Sequence, residues 1–274
     1  MSPTQADKAR LFQSLHQRTK PLLIPNPWDI GSARILAQLG FEALATSSAA
    51  SAATLGRRDG RITREGALAH ARSIAGATDL PVSADLENGF GHEPSVVAET
   101  ILLGAETGLV GASIEDATGK EDNPVYDISH AAERIGAAVE AARSLPFPFT
   151  LTARAENFLH GKTDLDDTIR RLVAYEKAGA DVLFAPALPD LAAVRAVCAA
   201  VSKPVSFMVG IRGKSFTVAE LTEAGVKRIS FGASFHRAAM TGLVEAAREA
   251  KAQGTFRYLD HVLTKPELNG FLTE

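Results

Sequence analysis

The chain has a single cysteine, Cys198. That scarcity excludes a disulfide framework and a cysteine cluster for zinc. Cys198 lies in the helical pattern LAAVRAVCAAV, where a free thiol behaves as a small buried hydrophobe, so a structural role is expected. An excess of charge of one sign is also missing. The 29 Lys and Arg against 32 Asp and Glu leave a formal net charge of -3, without the basic field that a nucleic-acid partner requires. No apolar run approaches the roughly 18 residues of a membrane span. The N-terminal MSPTQADKARLFQ is polar where a secretion signal needs an apolar core, so a cytoplasmic protein with no membrane partner is expected. There is no Pro-, Gly- or Ser-rich linker between two halves, and residues 1–274 read as one domain. His92, His160 and His236, scattered on loops or helix starts, lack any metal-ligand spacing.

What the sequence does contain is a repeated punctuation. A helical pattern, a glycine and a short apolar run recur as AQLGFEALATS, AETGLVGASIE, EKAGADVLFAP and TEAGVKRISFG. The glycine suits a left-handed helix end, and the run after it has the length of a buried strand rather than a helix. LLIPN, PVSAD, FTLTAR and PVSFMV supply four more strands. Between the strands, helices are predicted at 30–38, 63–76, 94–104, 129–143, 164–178, 190–201, 218–224 and 235–253, with an extra one at 5–16 before the first strand. Eight apolar strands alternating with helices imply a closed parallel sheet, and 274 residues is close to the roughly 250 of a (β/α)8 barrel. The expected fold is therefore a TIM-type (β/α)8 barrel. Residues 255–274 do not form a ninth unit; their Phe256, Tyr258, Leu259, Val262 and Leu263 suggest a C-terminal extension that packs on a neighbouring subunit.

In such a barrel the strand ends share one rim, so residues far apart in sequence converge. Acidic residues stand at four of these ends: Asp59 in LGRRDG, Asp85 and Glu87 in VSADLENGFG, Glu115 and Asp116 in GASIEDATGK, and Glu156 beside Arg154 in TLTARAENF. Such a set suits a hard cation such as Mg²⁺, bound by one carboxylate directly and by others through water. Each residue alone could equally be a helix N-cap or a solvated loop charge. Arg154 needs an anionic partner, either its acidic neighbours or a substrate carboxylate or phosphate. Thr46, Ser47 and Ser48 could present backbone N–H groups to a carboxylate, and ATGKEDNPVYD has the polarity of a lid or a plain loop.

Taken together, WDIGSARILAQLGFEALATSS, SAATLGRRD, SADLENGFG, GASIEDATGK and LTARAENF resemble the isocitrate lyase/phosphoenolpyruvate mutase superfamily from about Pro25 to Ala239. The resemblance implies a Mg²⁺-dependent enzyme, Mn²⁺ being an alternative ion, that acts on a small 2-oxo or 2-hydroxy carboxylic acid through a metal-stabilised enolate. Carried over by residue, it implies Asp85 as the direct ligand and Asp59, Glu87 and Glu115 as holders of its waters. Ser47 and Ser48 would bind the substrate carboxylate, with Asn123 beside them. Arg154 would bind an anionic substrate group and join Glu115 and Lys120 in the catalysis. A homo-oligomer, tetramer or dimer, is implied as well.

The departures narrow the chemistry. ATGKEDNP stands where isocitrate and methylisocitrate lyases carry a Lys-Lys-Cys-Gly loop, and only Lys120 and Asn123 remain of the Phe-Pro-Lys-x-Asn-Ser loop of the phosphorus-handling members. Ser48 and Glu87 stand where the family usually has Gly and a second Asp. C–C cleavage is the leading expectation. Phosphate handling or C–P chemistry through Gly210, Gly213, Lys214, Ser215, Gly232, Ala233 and Ser234 is an alternative, as is a non-catalytic oxo-acid-binding protein. A Schiff-base aldolase is disfavoured because no lysine stands at a strand's C-terminal end.

Overall fold

The computed structural model describes residues 2–272, so the last two positions of the expected C-terminal extension, 273 and 274, lie outside the described residues. In chain order the elements are α1 (Gln5–Leu15), β1 (Leu22–Ile24), α2 (Ile30–Gln38), β2 (Leu44–Ala45), α3 (Ser48–Thr54), α4 (Arg64–Ala75), β3 (Val82–Asp85), α5 (Pro94–Ala105), β4 (Gly111–Glu115) and α6 (Ile128–Arg143). There follow β5 (Thr150–Arg154), α7 (Leu165–Lys177), β6 (Val182–Phe184), α8 (Leu191–Ala200), β7 (Val205–Met208), α9 (Val218–Glu223), β8 (Arg228–Ser230), α10 (Ser234–Gln253), a 3₁₀ turn (Arg257–Asp260) and α11 (Lys265–Gly270).

All neighbouring strands pair in parallel, in the order β1-β8-β7-β6-β5-β4-β3-β2. The seam between β1 and β2 has no regular ladder. Pro25 lacks the N–H that a ladder needs at that point, but its carbonyl still accepts from Ala45 N at 3.0 Å, and Asn26 Nδ2 donates to the Thr46 carbonyl at 2.9 Å. These bonds bring the two ends together, and the sheet is a nearly closed TIM-type (β/α)8 barrel, as the alternation of runs predicts.

The two faces of the strands divide the side chains. Ala84, Ile114, Leu151, Ala153, Leu183, Phe207 and Ile229 face outward and pack with buried residues of the surrounding helices, such as Ile74, Ile101, Ile135 and Leu172. On the floor, Phe12 and Leu15 of α1 close the barrel against Leu22, Ile24, Ala43, Ala45 and Val110. That approach is so close that a Cβ on Gly111 would meet the Thr150 carbonyl at 2.7 Å and the Phe12 ring at 2.9 Å. Higher up, the inner face is polar: Ser113, Thr152, Ser206, Arg228 and Ser230 line a cavity where large aliphatic layers would fill most barrels of this type.

The structure adds elements that the sequence reading lacked. Ser47 does not end a strand in plain loop; its hydroxyl accepts from Ala50 N and caps α3. The C-terminal extension contains a 3₁₀ turn and α11, the latter opened by a Thr264–Glu267 capping box. Only His236 of α10 is buried, whereas Leu243, Val244, Phe256, Leu259, Val262 and Leu263 are exposed. Among the described residues no helix is long and apolar enough to cross a membrane.

Candidate active site

The rim at the C-terminal ends of the strands opens into a cavity of about 230 Å³. Its wall brings together Ser47, Ser48, Asp59, Asp85 and Arg154, five of the residues singled out in the sequence. Asp85, the last residue of β3, is held from several sides. Its Oδ2 accepts from Ser48 N at 3.3 Å, its Oδ1 from Glu87 N at 3.3 Å and from Arg154 Nη1 at 3.0 Å, while its own N–H donates to Thr46 Oγ1 at 3.1 Å.

Arg154 ends β5 one position across from Glu115 on β4, which aims both side chains into the same space. Its Nη1 lies 3.3 Å from Glu115 Oε2, and its Nε and Nη2 reach Glu156 Oε1 at 3.0 and 2.9 Å. The guanidinium is thus surrounded by three protein carboxylates and packs 5.1 Å over the Phe184 ring. Both readings of Arg154 made from sequence asked for an anionic partner, and its own acidic neighbours supply it.

Charge crowding is severe on this side. Glu87 sits in the left-handed region at φ 48°, which a non-glycine residue adopts at a cost of about 1–3 kcal/mol. Its Oε1 is buried without a hydrogen-bond partner, and burial, then Asp85 and Asp59, push its carboxyl up to about 7. Glu115 is raised well above the usual carboxylate range by burial and then by Glu156. The tight turn after β3 depends on Gly89 at φ 78°, where a Cβ would also press on Val97 at 3.1 Å. Arg134 then holds that turn by donating to the carbonyls of Asn88, Gly91 and His92.

The N-cap explanation for these acids does not apply to Asp59, Asp85, Glu87 or Glu115. The acidic residues that do cap helices with their side chains are Asp29, Asp164 and Asp190. Asp116 has a different job. It lies beneath the rim, accepting from Glu156 N at 2.8 Å, Arg171 Nη1 at 2.9 Å and Tyr175 Oη at 2.6 Å, and so anchors the β5 exit. Lys120 and Asn123 are exposed on a hairpin closed by the Ala117–Val125 bridge and by Thr118 N to the Pro124 carbonyl at 2.9 Å. They do not line the cavity.

Of the alternative phosphate cradle, Gly210, Gly232, Ala233 and Ser234 line the cavity, but several of its donors are engaged within the protein: Gly210 N on Ser215 Oγ at 3.0 Å, Gly232 N on Ser230 Oγ at 3.3 Å, and Lys214 Nζ on the Ala187 carbonyl at 3.3 Å. Among the described residues no three His, Cys, Asp or Glu side chains converge tightly enough to grip one ion directly. An ion here would take few direct ligands and keep its waters, which suits Mg²⁺ better than a fully caged metal.

Several residues of the cavity wall, among them Thr152, Ser206, Ser230, Arg237 and Arg228, escaped the sequence reading. Arg228 opens β8 and points into the barrel, 6% exposed. Strand alternation could have found it, because a period of two puts Arg228 and Ser230 on the same inner face once Ile229 is assigned to the outer core.

Comparison with known proteins agrees with this architecture. The family described as phosphoenolpyruvate phosphomutase matches residues 12–251. A Burkholderia cenocepacia J2315 crystal structure, described only by class as a lyase/mutase, is 51% identical, covers 98% of this chain and 97% of its own, and superposes with a TM-score of 0.96. The 2-methylisocitrate lyase of Escherichia coli K12 is 28% identical over 94% of this chain and 90% of its own length. An oxaloacetate decarboxylase of Pseudomonas aeruginosa LESB58 is 28% identical over 88% of this chain and 84% of its own. With one family matched across most of the chain, and with the barrel and the acidic rim that its motifs imply, this protein belongs to the phosphoenolpyruvate phosphomutase family and is an enzyme of the isocitrate lyase/PEP mutase superfamily.

Proposed function

We propose that the protein is a divalent-cation-dependent lyase that cleaves a C–C bond in a small 2-oxo or 2-hydroxy carboxylic acid. The observation that carries this reading is Glu87, a carboxylate with a buried, unpartnered oxygen, crowded by Asp85 and Asp59 on a strained backbone. A cation is the group that such a cluster lacks, and an all-oxygen donor set fits a hard one. Asp85 would hold it directly, and Asp59, Glu87 and Glu115 would hold its waters. Mg²⁺ fits this description, and Mn²⁺ accepts the same donors. When bound, the ion supplies Lewis-acid polarisation of the substrate's 2-oxygen and offsets negative charge that develops there.

The chain's own residues do the rest. Arg154 keeps Asp85, Glu115 and Glu156 together despite their mutual repulsion. Ser47 and Ser48 at the cavity wall receive the substrate carboxylate, and Glu115, paired with Arg154 at 3.3 Å, takes part in the proton transfer. The hairpin between Ala117 and Val125 closes over the cavity to exclude water, bringing Lys120 and Asn123 inward. The hairpin contains no cysteine, so a thiol acid acting from the lid is not part of this mechanism. Two relatives, named 2-methylisocitrate lyase and oxaloacetate decarboxylase, carry names that denote C–C cleavage of short acids, which supports that bond type.

The test is calorimetry with Mg²⁺ and oxalate, an enolate mimic that chelates the ion. The wild type should bind oxalate only when Mg²⁺ is present, and Asp85→Ala should lose that binding; undiminished affinity in the variant would remove the central assignment. We further propose a homo-oligomer, dimer or tetramer, joined through the exposed apolar residues of α10 and the C-terminal extension. Light scattering at micromolar concentration should give a multiple of the chain mass, and a monomer would count against it.

A further inference from the structure

Of the three arginines on the cavity wall, Arg237 is exposed and donates Nη1–H to the Gly210 carbonyl at 2.9 Å, and the two that are withdrawn from solvent stand in opposite circumstances. Arg154 is saturated by three carboxylates. Arg228, by contrast, belongs to none of the described ion pairs. Its Nη1 donates to Thr152 Oγ1 at 3.1 Å, and its Nε–H is buried with no partner at all. At 6% exposure this guanidinium is nearly withdrawn from water. A buried charge without a counter-ion is among the costliest arrangements a core can contain, and a neutral residue of similar volume would avoid it.

Its neighbours do not resolve the charge. Across the ladder stands Ser206, two residues on stands Ser230, and both line the cavity with Thr152; they are hydroxyls, able to orient an anion but unable to neutralise a cation. Below, the Phe12 ring lies 5.9 Å from the guanidinium carbon, and the rest of the floor is aliphatic apart from the buried imidazole of His16, which carries no negative charge. Asp85 influences Arg228 at longer range but spends its contacts on Arg154, Ser48 and Glu87. The open direction is the cavity.

We propose that Arg228, with the hydroxyls of Thr152, Ser206 and Ser230, is the receptor for a second carboxylate of the substrate, the one remote from the 2-oxygen. The enzyme is then selective for short dicarboxylates over the matching monocarboxylates. A planar fork that is already dehydrated and held by Thr152 loses little on binding a carboxylate. This assignment rests on the proposed lyase reading for the position of the near carboxylate, and it transfers to Arg228 the anion-binding role that the motif resemblance gave Arg154.

The experiment compares racemic malate with racemic lactate, a 2-hydroxy acid with and without the remote carboxylate, by calorimetry with and without Mg²⁺. The wild type should prefer malate by roughly tenfold to a hundredfold, the range for charge-assisted hydrogen bonds. In Arg228→Met that preference should fall to within about twofold. Oxalate, which has no remote carboxylate, should bind Arg228→Met with Mg²⁺ as it binds the wild type. If Mg²⁺-dependent oxalate binding is absent from the wild type, the metal reading fails, while the malate-to-lactate ratio still decides the role of Arg228. Should Arg228→Met fail to fold, Arg228→Lys takes its place, with a several-fold smaller preference expected. A wild type that does not distinguish the two acids, or a folded variant that keeps the wild-type preference, would overturn the proposal.

Discussion

The two sides of the rim manage charge in opposite ways. On β3, β4 and β5 the carboxylates outnumber the cations, and Arg154 is enclosed by Asp85, Glu115 and Glu156. On β7, β8 and the β1 exit the lining is Ser206, Ser230 and Asn26, and Arg228 has no carboxylate partner among the described ion pairs. A buried guanidinium stabilises a site when its counter-ions come from the protein, and prepares a site for a ligand when they do not. The first arrangement assembles the acidic cluster. The second leaves an unmet charge facing the space where a substrate enters.

The comparison can be broken by removing each arginine in turn. Arg154→Met would leave three clustered carboxylates without their cation, so the unfolding free energy should drop by about 3–5 kcal/mol, as for a buried ion pair that loses one partner. Arg228→Met removes a charge that has no partner, and denaturant melts without ligand should place it within about 1 kcal/mol of wild type, or above it. Equal losses from both variants would show that the two arginines are structurally equivalent and would erase the contrast.

The floor offers a smaller effect, set by pH. His16 donates Nδ1–H to the Phe12 carbonyl at 2.8 Å, and its Nε2 is buried without a partner. Burial, then the charge of Arg228, lower its pKa from 6.5 to about 4. Because the folded imidazole takes a proton less readily than the unfolded one, this contribution is complete above pH 6.5 and lost as the pH falls toward about 4. The loss should total roughly 3 kcal/mol. Denaturant melts of wild type and His16→Met across that window should differ in slope; parallel curves would rule out this coupling. The smallest change is expected from Cys198→Ser. The thiol is half-buried on α8, outside the barrel against Gly225, and burial pushes its pKa up to about 11, so it is neither nucleophile nor acid for the rim. Activity within about threefold of wild type is expected, and a large loss at unchanged melting temperature would contradict the placement.

Much of the site was legible because barrels convert sequence position into rim position. VSAD, GASIE and LTAR end at Asp85, Glu115 and Arg154, and the parallel registers deliver Asp85 and Arg154 to the cavity wall with Glu115 beside Arg154. Lys120 and Asn123 were legible as a motif remnant but not as a location, because a hairpin tip has no periodicity to aim its side chains. Asp116 looked equivalent to Glu115 by adjacency, yet neighbours on a strand face opposite ways, and Asp116 went to Arg171 and Tyr175. Arg228 was hidden beside Lys227 at the start of a strand, where two adjacent cations read as solvated charges before the apolar run.

The sequence by itself determined the alternation of strands and helices, since apolar run length and glycine punctuation are local, and it determined which acids stand at strand ends. The tertiary structure alone decided which charges meet. Arg154 lies 69 positions from Asp85, and Arg228 lies 76 from Thr152. Whether a buried guanidinium finds a carboxylate, a hydroxyl or an open cavity depends on barrel closure and side-chain direction, and electrostatic energy follows those distances rather than separation along the chain.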